Sequence, residues 1–250
     1  MEHHGIGITN TGYVRQNNED SFFVCNESIG KLRNLYIVAD GMGGHQAGEI
    51  ASAAAVSFFC DYIRQNPYSP RYTEELLGEA ARISNDKVFA LSMEDAARNG
   101  MGTTLSVCCV DDDNLYYAQI GDSRIYLFRD GNIQQLTEDH TFVEEMVRSG
   151  RMTAEEAQNS PSRHMLTRAL GTDCGVLADV GYVPVADGDV LLLCSDGLTN
   201  MCDDGELAAL LSGEGTLAEK AESLVAKALA GGGYDNVTVV LVSIYAGCER

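Results

Sequence analysis

The stretch TTLSVCCVDDDNLYYAQIGDSRIYLFRDGNIQQL, residues 103–136, decides the fold class. Four β-prone runs, Thr103 to Val110, Leu115 to Ile120, Arg124 to Arg129 and Asn132 to Leu136, are separated only by turn residues, which predicts a β-meander. Asp111-Asp112-Asp113-Asn114 lacks the spacing and terminal Glu of an EF-hand and reads as a hairpin tip. Working outward, three short strands precede the meander at Gly5 to Thr9, Ser21 to Cys25 and Leu35 to Ala39. A helix follows from about Gln46 to Gln65, with Ile50, Ala54, Phe58 and Tyr62 spaced to share a face, and Pro67 and Pro70 end it. Glu74 to Arg98 predicts a second helix with Leu77, Ala81, Ser84 and Val88 in register. Beyond the meander, residues from about Thr141 to Leu170 are helical or irregular. Strands resume at Leu177 to Val183, Val190 to Cys194 and Val237 to Ile244, with helices near Asp204 to Leu211 and Leu217 to Leu229 between the last two. Strands in blocks, with paired helices between them, argue against a parallel βαβ sheet and for mainly antiparallel sheets covered by helices.

The chain has 250 residues and no evident linker or repeat, so one domain over residues 1–250 is expected. Its 37 acidic and 17 basic residues give a formal charge of −20, which repels nucleic acid and anionic membranes. The eight cysteines form no CxxC pair, and Cys108, Cys109 and Cys194 lie in apolar runs as small core hydrophobes. Neither a zinc site nor a disulfide framework is expected. No apolar stretch follows a basic N-terminal segment, and the longest apolar runs fall short of the about 20 residues that span a bilayer. A cytoplasmic location is expected.

Asp-Gly occurs at Asp40, Asp130, Asp187, Asp196 and Asp204. The dipeptide favours hairpin turns, which accounts for Asp130 and Asp187, and Asp204 reads as a helix start. Asp40 and Asp196 each end a fully apolar run, and neither is succeeded by an opposing strand. A buried strand that delivers a carboxylate at its tip calls for a cation nearby. Asp20 before the second strand, Asp122 after Gly121 and Asp235 before the last strand share this character. Hard oxygen donors without His or Cys point to Mg²⁺ or Mn²⁺.

Six motifs then fall into one order: Arg15 to Asp20, D-G-M-G-G-H with Gly48-Glu49, G-T-T from Gly102, G-D-S-R from Gly121, S-D-G-L from Ser195 and D-N-V-T from Asp235. Together they resemble the bacterial branch of the protein phosphatase 2C family over essentially the whole chain. The resemblance implies an α+β fold, an α-β-β-α sandwich of two mainly antiparallel sheets flanked by helix pairs. It implies hydrolysis of phosphoserine and phosphothreonine in proteins, the substrates of a Ser/Thr kinase, by a water activated between two Mg²⁺ or Mn²⁺ ions. A third ion is compatible with it, no covalent phosphoenzyme is needed, and a monomer is expected. By position, the resemblance implies that Asp40 bridges both metals and the Gly41 carbonyl binds one, that Asp196 and Asp235 complete the other, and that Glu19 and Asp20 hold metal-bound water or contact a metal. Asp122 matches an additional ligand, and Arg15 grips the phosphate as a planar fork. Ser195 lacks a G-x-S-x-G elbow and is not expected to be a nucleophile. The residues near Thr141 to His164, within about 141–170, match a flap that shapes protein-substrate choice. The family's animal members place a His where Met42 stands, so the leaving group is expected to take its proton from a metal-bound water, with His45 the weaker candidate. Competing readings are a phosphatase dedicated to one regulatory partner, an inactive phosphoprotein-binding module and a calcium-binding structural domain.

Overall fold

A computed structural model describes residues 1–43, 47–66 and 72–247. In chain order, β1 (Glu2–Asn10), β2 (Asp20–Cys25) and β3 (Leu35–Met42) lead into α1 (Ala47–Gln65) and α2 (Thr73–Met93). Then come β4 (Gly102–Thr103), β5 (Leu105–Asp111), β6 (Asn114–Ile120), β7 (Arg124–Arg129) and β8 (Asn132–Gln135). After these, α3 (Phe142–Arg148), α4 (Ala154–Gln158), β9 (Asp179–Pro184), β10 (Val190–Cys194), α5 (Asp196–Thr199), α6 (Asp204–Ser212), α7 (Leu217–Ala230) and β11 (Val237–Tyr245) complete the fold.

Two antiparallel sheets stack face to face. One has the order β1-β11-β10-β7-β8; the other runs β2-β3-β5-β6-β9, with β4 added to the end of β3. The continuous apolar runs are explained by burial of both strand faces. In β3, Tyr36 and Val38 face the opposite sheet, while Leu35, Ile37 and Ala39 pack under α1 and α2. In β10, Leu191 and Leu193 fill the space between sheets, and Leu192 and Cys194 meet α6 and α7. Such strands need no polar alternation because neither face sees water. The cysteines behave as predicted: Cys60, Cys108, Cys109, Cys194 and Cys202 are buried thiols, and those described are free.

The structure corrects three details. The meander is split: β5–β6 pair in one sheet and β7–β8 in the other, and the chain crosses between sheets at residues 121–123. Gly121, at φ +97°, makes this crossing beneath Thr104, where a Cβ would lie 2.6 Å from the Thr104 methyl. Second, the deeper face of α1 is Ala51, Ala55, Phe59 and Ile63, one residue on from the expected set, which is half-buried on the flank. Sequence periodicity gives a helix's apolar arc but not which edge of that arc a partner covers. Third, α2 stops at Met93, because Asp95 turns extended and its carboxylate caps the Ala97 N–H of a 3-10 turn at Ala96–Arg98. Leu77, Ala81, Ser84 and Val88 are buried as expected. Asp130 and Gly131, both at positive φ, form a tight hairpin turn, and Asp203 caps α6. Pro67 and Pro70 lie outside the described residues.

The antiparallel registers bring the catalytically suggestive ends together. The start of β2, the ends of β3, β6 and β10 and the starts of β7 and β11 all lie at one end of the sandwich, with Asp20 opposite Asp40 and Cys194 opposite Arg124.

Candidate metal and phosphate site

Asp40 is fixed through its backbone. Its N–H donates to Thr104 Oγ1 at 2.8 Å, and its carbonyl accepts from the Thr104 N–H at 2.8 Å and the Thr103 hydroxyl at 2.9 Å. Thr104 in turn shares a 2.6 Å hydrogen bond with Ser123, beside Asp122. The G-T-T and G-D-S-R motifs are thus the clamp on the Asp40 strand tip. The glycines after Asp40 and Asp196 serve neither as turns nor at positive φ. A Cβ on Gly41 would stand 2.1 Å from the Gly48 carbonyl, and one on Gly197 would stand 1.9 Å from that of Asn236. Only glycine lets those backbones approach so closely next to a ligand-bearing residue.

Asp20 is buried directly across from Asp40. Its Oδ2 accepts from Thr238 Oγ1 at 2.6 Å and Ser195 Oγ at 2.8 Å, while Oδ1 is buried without a partner among the described residues. Ser195 Oγ also accepts from the Thr238 N–H, so this hydroxyl is spent on holding Asp20 and is no nucleophile. The loop before β2 is tied to the start of β11 by Asn236. Its Oδ1 accepts from the Glu19 N–H at 2.8 Å, and its Nδ2 donates to the Thr11 and Asn17 carbonyls. Arg15, about half exposed, lies on that loop and reaches Asp235 Oδ2 with Nη2 at 2.7 Å. His164 Nδ1 stands 3.7 Å from Asp196 Oδ2.

Arg15, Glu19, Asp40, Gly41, Asp122, Asp196 and Asp235 line one cleft of about 650 Å³, together with Met42, His164 and Asn236. Asp20 is buried next to this cleft, across the strand ladder from Asp40. The site residues named from the sequence are therefore brought together, except that His45 lies outside the described residues. Sequence reasoning missed three contributors. Asn236 and Thr238 sat within a quoted motif but gave no sign of which partner they bind, and His164 sits in an irregular segment with no local signal.

Electrostatics mark this cleft as cation-hungry. Burial pushes the Asp20 carboxyl up to about 7 despite the two hydroxyl bonds, with Asp196 and Asp235 adding to the rise. Burial pushes Asp40 well above the carboxylate range, reinforced by Asp20, Asp196, Asp122 and Asp235. Burial and Asp196 lift Asp122 to about 7. Among the described residues no three of these groups close on one point. Arg15 and His164 instead stand against Asp235 and Asp196 as charge partners. The donors nonetheless suit a hard divalent cation: every one is an oxygen, the acids repel one another, and a buried carboxylate oxygen lacks a hydrogen bond.

Residues 12–230 match the sequence profile of protein phosphatase 2C. The chain is 40% identical over 239 residues to the protein phosphatase PhpP of Streptococcus pneumoniae, covering 95% of this chain and 96% of that protein. It superposes on the serine/threonine phosphatase of S. agalactiae with a TM-score of 0.90 at 35% identity, over 97% of this chain and 99% of that one. The catalytic domain of the serine/threonine protein phosphatase PstP, solved in complex with two manganese ions, superposes with a TM-score of 0.84 at 36% identity, over 98% and 99% of the two chains.

Proposed function

Because the chain belongs to the protein phosphatase 2C family, we propose that its acid cleft binds two divalent cations and that Arg15 receives the phosphate of the substrate. The protein is a metal-dependent phosphatase of phosphoserine and phosphothreonine in phosphorylated proteins. The alternative readings, a binding module without turnover among them, gain no support from any observation at the site.

The observation that carries the site assignment is the Asp20–Asp40 pair. Two carboxylates placed opposite one another in a ladder, one with a buried unpartnered oxygen, are destabilising unless a cation joins them. Asp40, Gly41, Asp196 and Asp235 would hold Mg²⁺ or Mn²⁺, with Glu19 and Asp20 behind them. Asp122, next to Asp196, suits a third ion. When bound, such cations acidify a water and draw charge from the phosphoryl oxygens. The protein's own part is positional. Arg15 turns from Asp235 onto the phosphate, and its fork matches two phosphoryl oxygens. That movement frees Asp235 for its ligand role. Asn236 keeps the Arg15 loop in register with Asp235, and the Thr103–Thr104 clamp keeps Asp40 at the strand tip. Met42 lines the cleft and cannot donate a proton, so water is the proposed proton source for the serine or threonine oxygen, with His45 the weaker candidate.

We further assign the segment around α3 and α4, within about 141–170, as a flap that selects protein substrates, residues 1–250 as one catalytic domain, and the protein as a monomer. Its substrates would be products of a Ser/Thr kinase. Among the described residues no helix is long and apolar enough to cross a membrane. The free cysteines suit a reducing compartment, and the cytoplasm is proposed. The direct test is phosphate release from a phosphothreonine peptide with and without Mn²⁺. Full activity after EDTA dialysis, or activation by Zn²⁺ alone, would overturn the metal assignment.

A further inference from the structure

We infer that a second cleft beside the reaction site seats the substrate polypeptide next to its phosphoresidue, and that Arg98 there reads one acidic side chain of the substrate. This inference rests on the phosphatase reading above.

The second cleft has a volume of about 930 Å³. It shares Arg15, Glu19 and Gly43 with the reaction cleft, so the two are continuous across the arginine assigned to the phosphate. A phosphoresidue bound on Arg15 therefore leads its own chain toward this cleft. Ala47 and Ile50 at the start of α1 give it an apolar side suited to peptide backbone and small side chains. Arg98, on the 3-10 turn, lines the same cleft. Its backbone is anchored on both sides: the Arg98 N–H donates to the Asp95 carbonyl at 2.9 Å, and the Arg98 carbonyl accepts from Met101 N–H at 3.0 Å.

The side chain of Arg98 has no ion-pair partner among the described residues; Arg151 and Arg163 share that condition, but neither lines this cleft, and the cleft's other arginine, Arg15, is paired with Asp235. In a chain with 37 acidic and 17 basic residues, carboxylates are abundant, and a half-buried arginine left without one in a cleft calls for an anion from outside. Asp95 lines the same cleft but spends Oδ1 on the Ala97 N–H. The charge of −20 repels acidic polypeptides as a whole. Recognition at Arg98 must therefore be local: one acid at one distance from the phosphoresidue is favoured, and acids elsewhere are not.

The test is a series of phosphothreonine peptides, neutral except for one glutamate walked outward on either side of the phosphoresidue, assayed with Mn²⁺ at physiological ionic strength. Each kcat/KM is divided by that of the all-neutral peptide for the same enzyme, so overall losses from misfolding cancel. For wild type, one position is expected to exceed the neutral peptide by about two- to fivefold, the worth of one partly exposed ion pair. In Arg98→Ala the ratio falls to about one, and in Arg98→Glu it falls below one. A flat wild-type series, or a preference that survives in both variants, overturns the inference. Wild-type turnover of a small aryl phosphate separates the two levels. Turnover there with a flat peptide series removes the cleft assignment alone, whereas no turnover on any substrate removes the phosphatase reading with it.

Discussion

Replacing Asp20 by Asn should stabilise the metal-free protein above neutral pH while weakening its response to metal. The carboxyl lies at about 7 in the folded chain against an ordinary 3.8. A carboxyl raised on folding binds its proton more tightly in the native state. Its contribution to stability is fully present below about pH 4 and is lost as the pH climbs through about 7. At about 1.4 kcal/mol per pH unit, that loss reaches about 4 kcal/mol for a group that is buried and unscreened. The introduced amide would keep an oxygen for Ser195 and Thr238 and would carry no charge. Its nitrogen would replace the unpartnered Oδ1, which costs about 1–2 kcal/mol as an unsatisfied donor. The net gain is about 2–3 kcal/mol at pH 8, or roughly 4–12 °C in Tm for a chain of this size. Thermal melts in EDTA from pH 5 to 9 (roughly one point per pH unit, the window set by the titration) would show the wild-type Tm falling with pH and the variant's falling less. Adding Mn²⁺ should raise the wild-type Tm more than the variant's, because a ligand that binds only the folded state stabilises it according to its affinity. A variant that melts lower than wild type at pH 8 in EDTA, with the same pH slope, would refute the claim that a cation offsets the buried charge of Asp20.

Arg15→Ala should lower kcat/KM for aryl phosphate and peptide alike by about 10²-fold, the scale of a lost charge-assisted contact to the transition state, with Mn²⁺ affinity measured by calorimetry largely kept. Lost metal binding with normal kinetics would instead give Arg15 a structural role. Asn236→Ala removes three hydrogen bonds from the residue before β11, two to the Arg15–Glu19 loop and one to the Thr11 carbonyl, and should lower stability by about 1–3 kcal/mol in denaturant melts while reducing kcat. Unchanged stability would mean the loop is held by the Tyr13 N–H to Gly233 carbonyl bond instead. Shortening the segment between Thr141 and His164 should change selectivity among phosphoproteins, and a folded variant inert toward aryl phosphate would argue against a flap. His45→Ala should keep most activity on phosphothreonine peptide and aryl phosphate, and a large loss on the peptide alone would identify His45 as the proton donor.

Much of the architecture was legible because it is written in local pattern. Leu35 to Ala39 and Val190 to Cys194 are apolar without interruption, and the structure buries both faces of each strand between a helix layer and the opposite sheet. Asp130-Gly131 and Asp203 carry turn and cap chemistry that needs no distant partner. The acids were legible for a related reason: a carboxylate at the tip of such a strand is costly without a cation, whichever neighbours it has. Tertiary structure alone decided what those neighbours are. The buried edge of α1 depends on where α2 and β3 lie, and the break of the meander at Gly121 depends on Thr104, between β4 and β5. Asn236 binds Thr11, Asn17 and Glu19, and Ser195 and Thr238 bind Asp20, across most of the chain's length. Side-chain period and propensity report a residue's own strand or helix, but a hydrogen bond between the two ends of a chain exists only once the sheets have stacked. For the same reason the cleft that holds Arg98 beside Arg15 has no signature in the sequence: a 3-10 turn, a loop and the first turn of α1 meet there only in the folded protein.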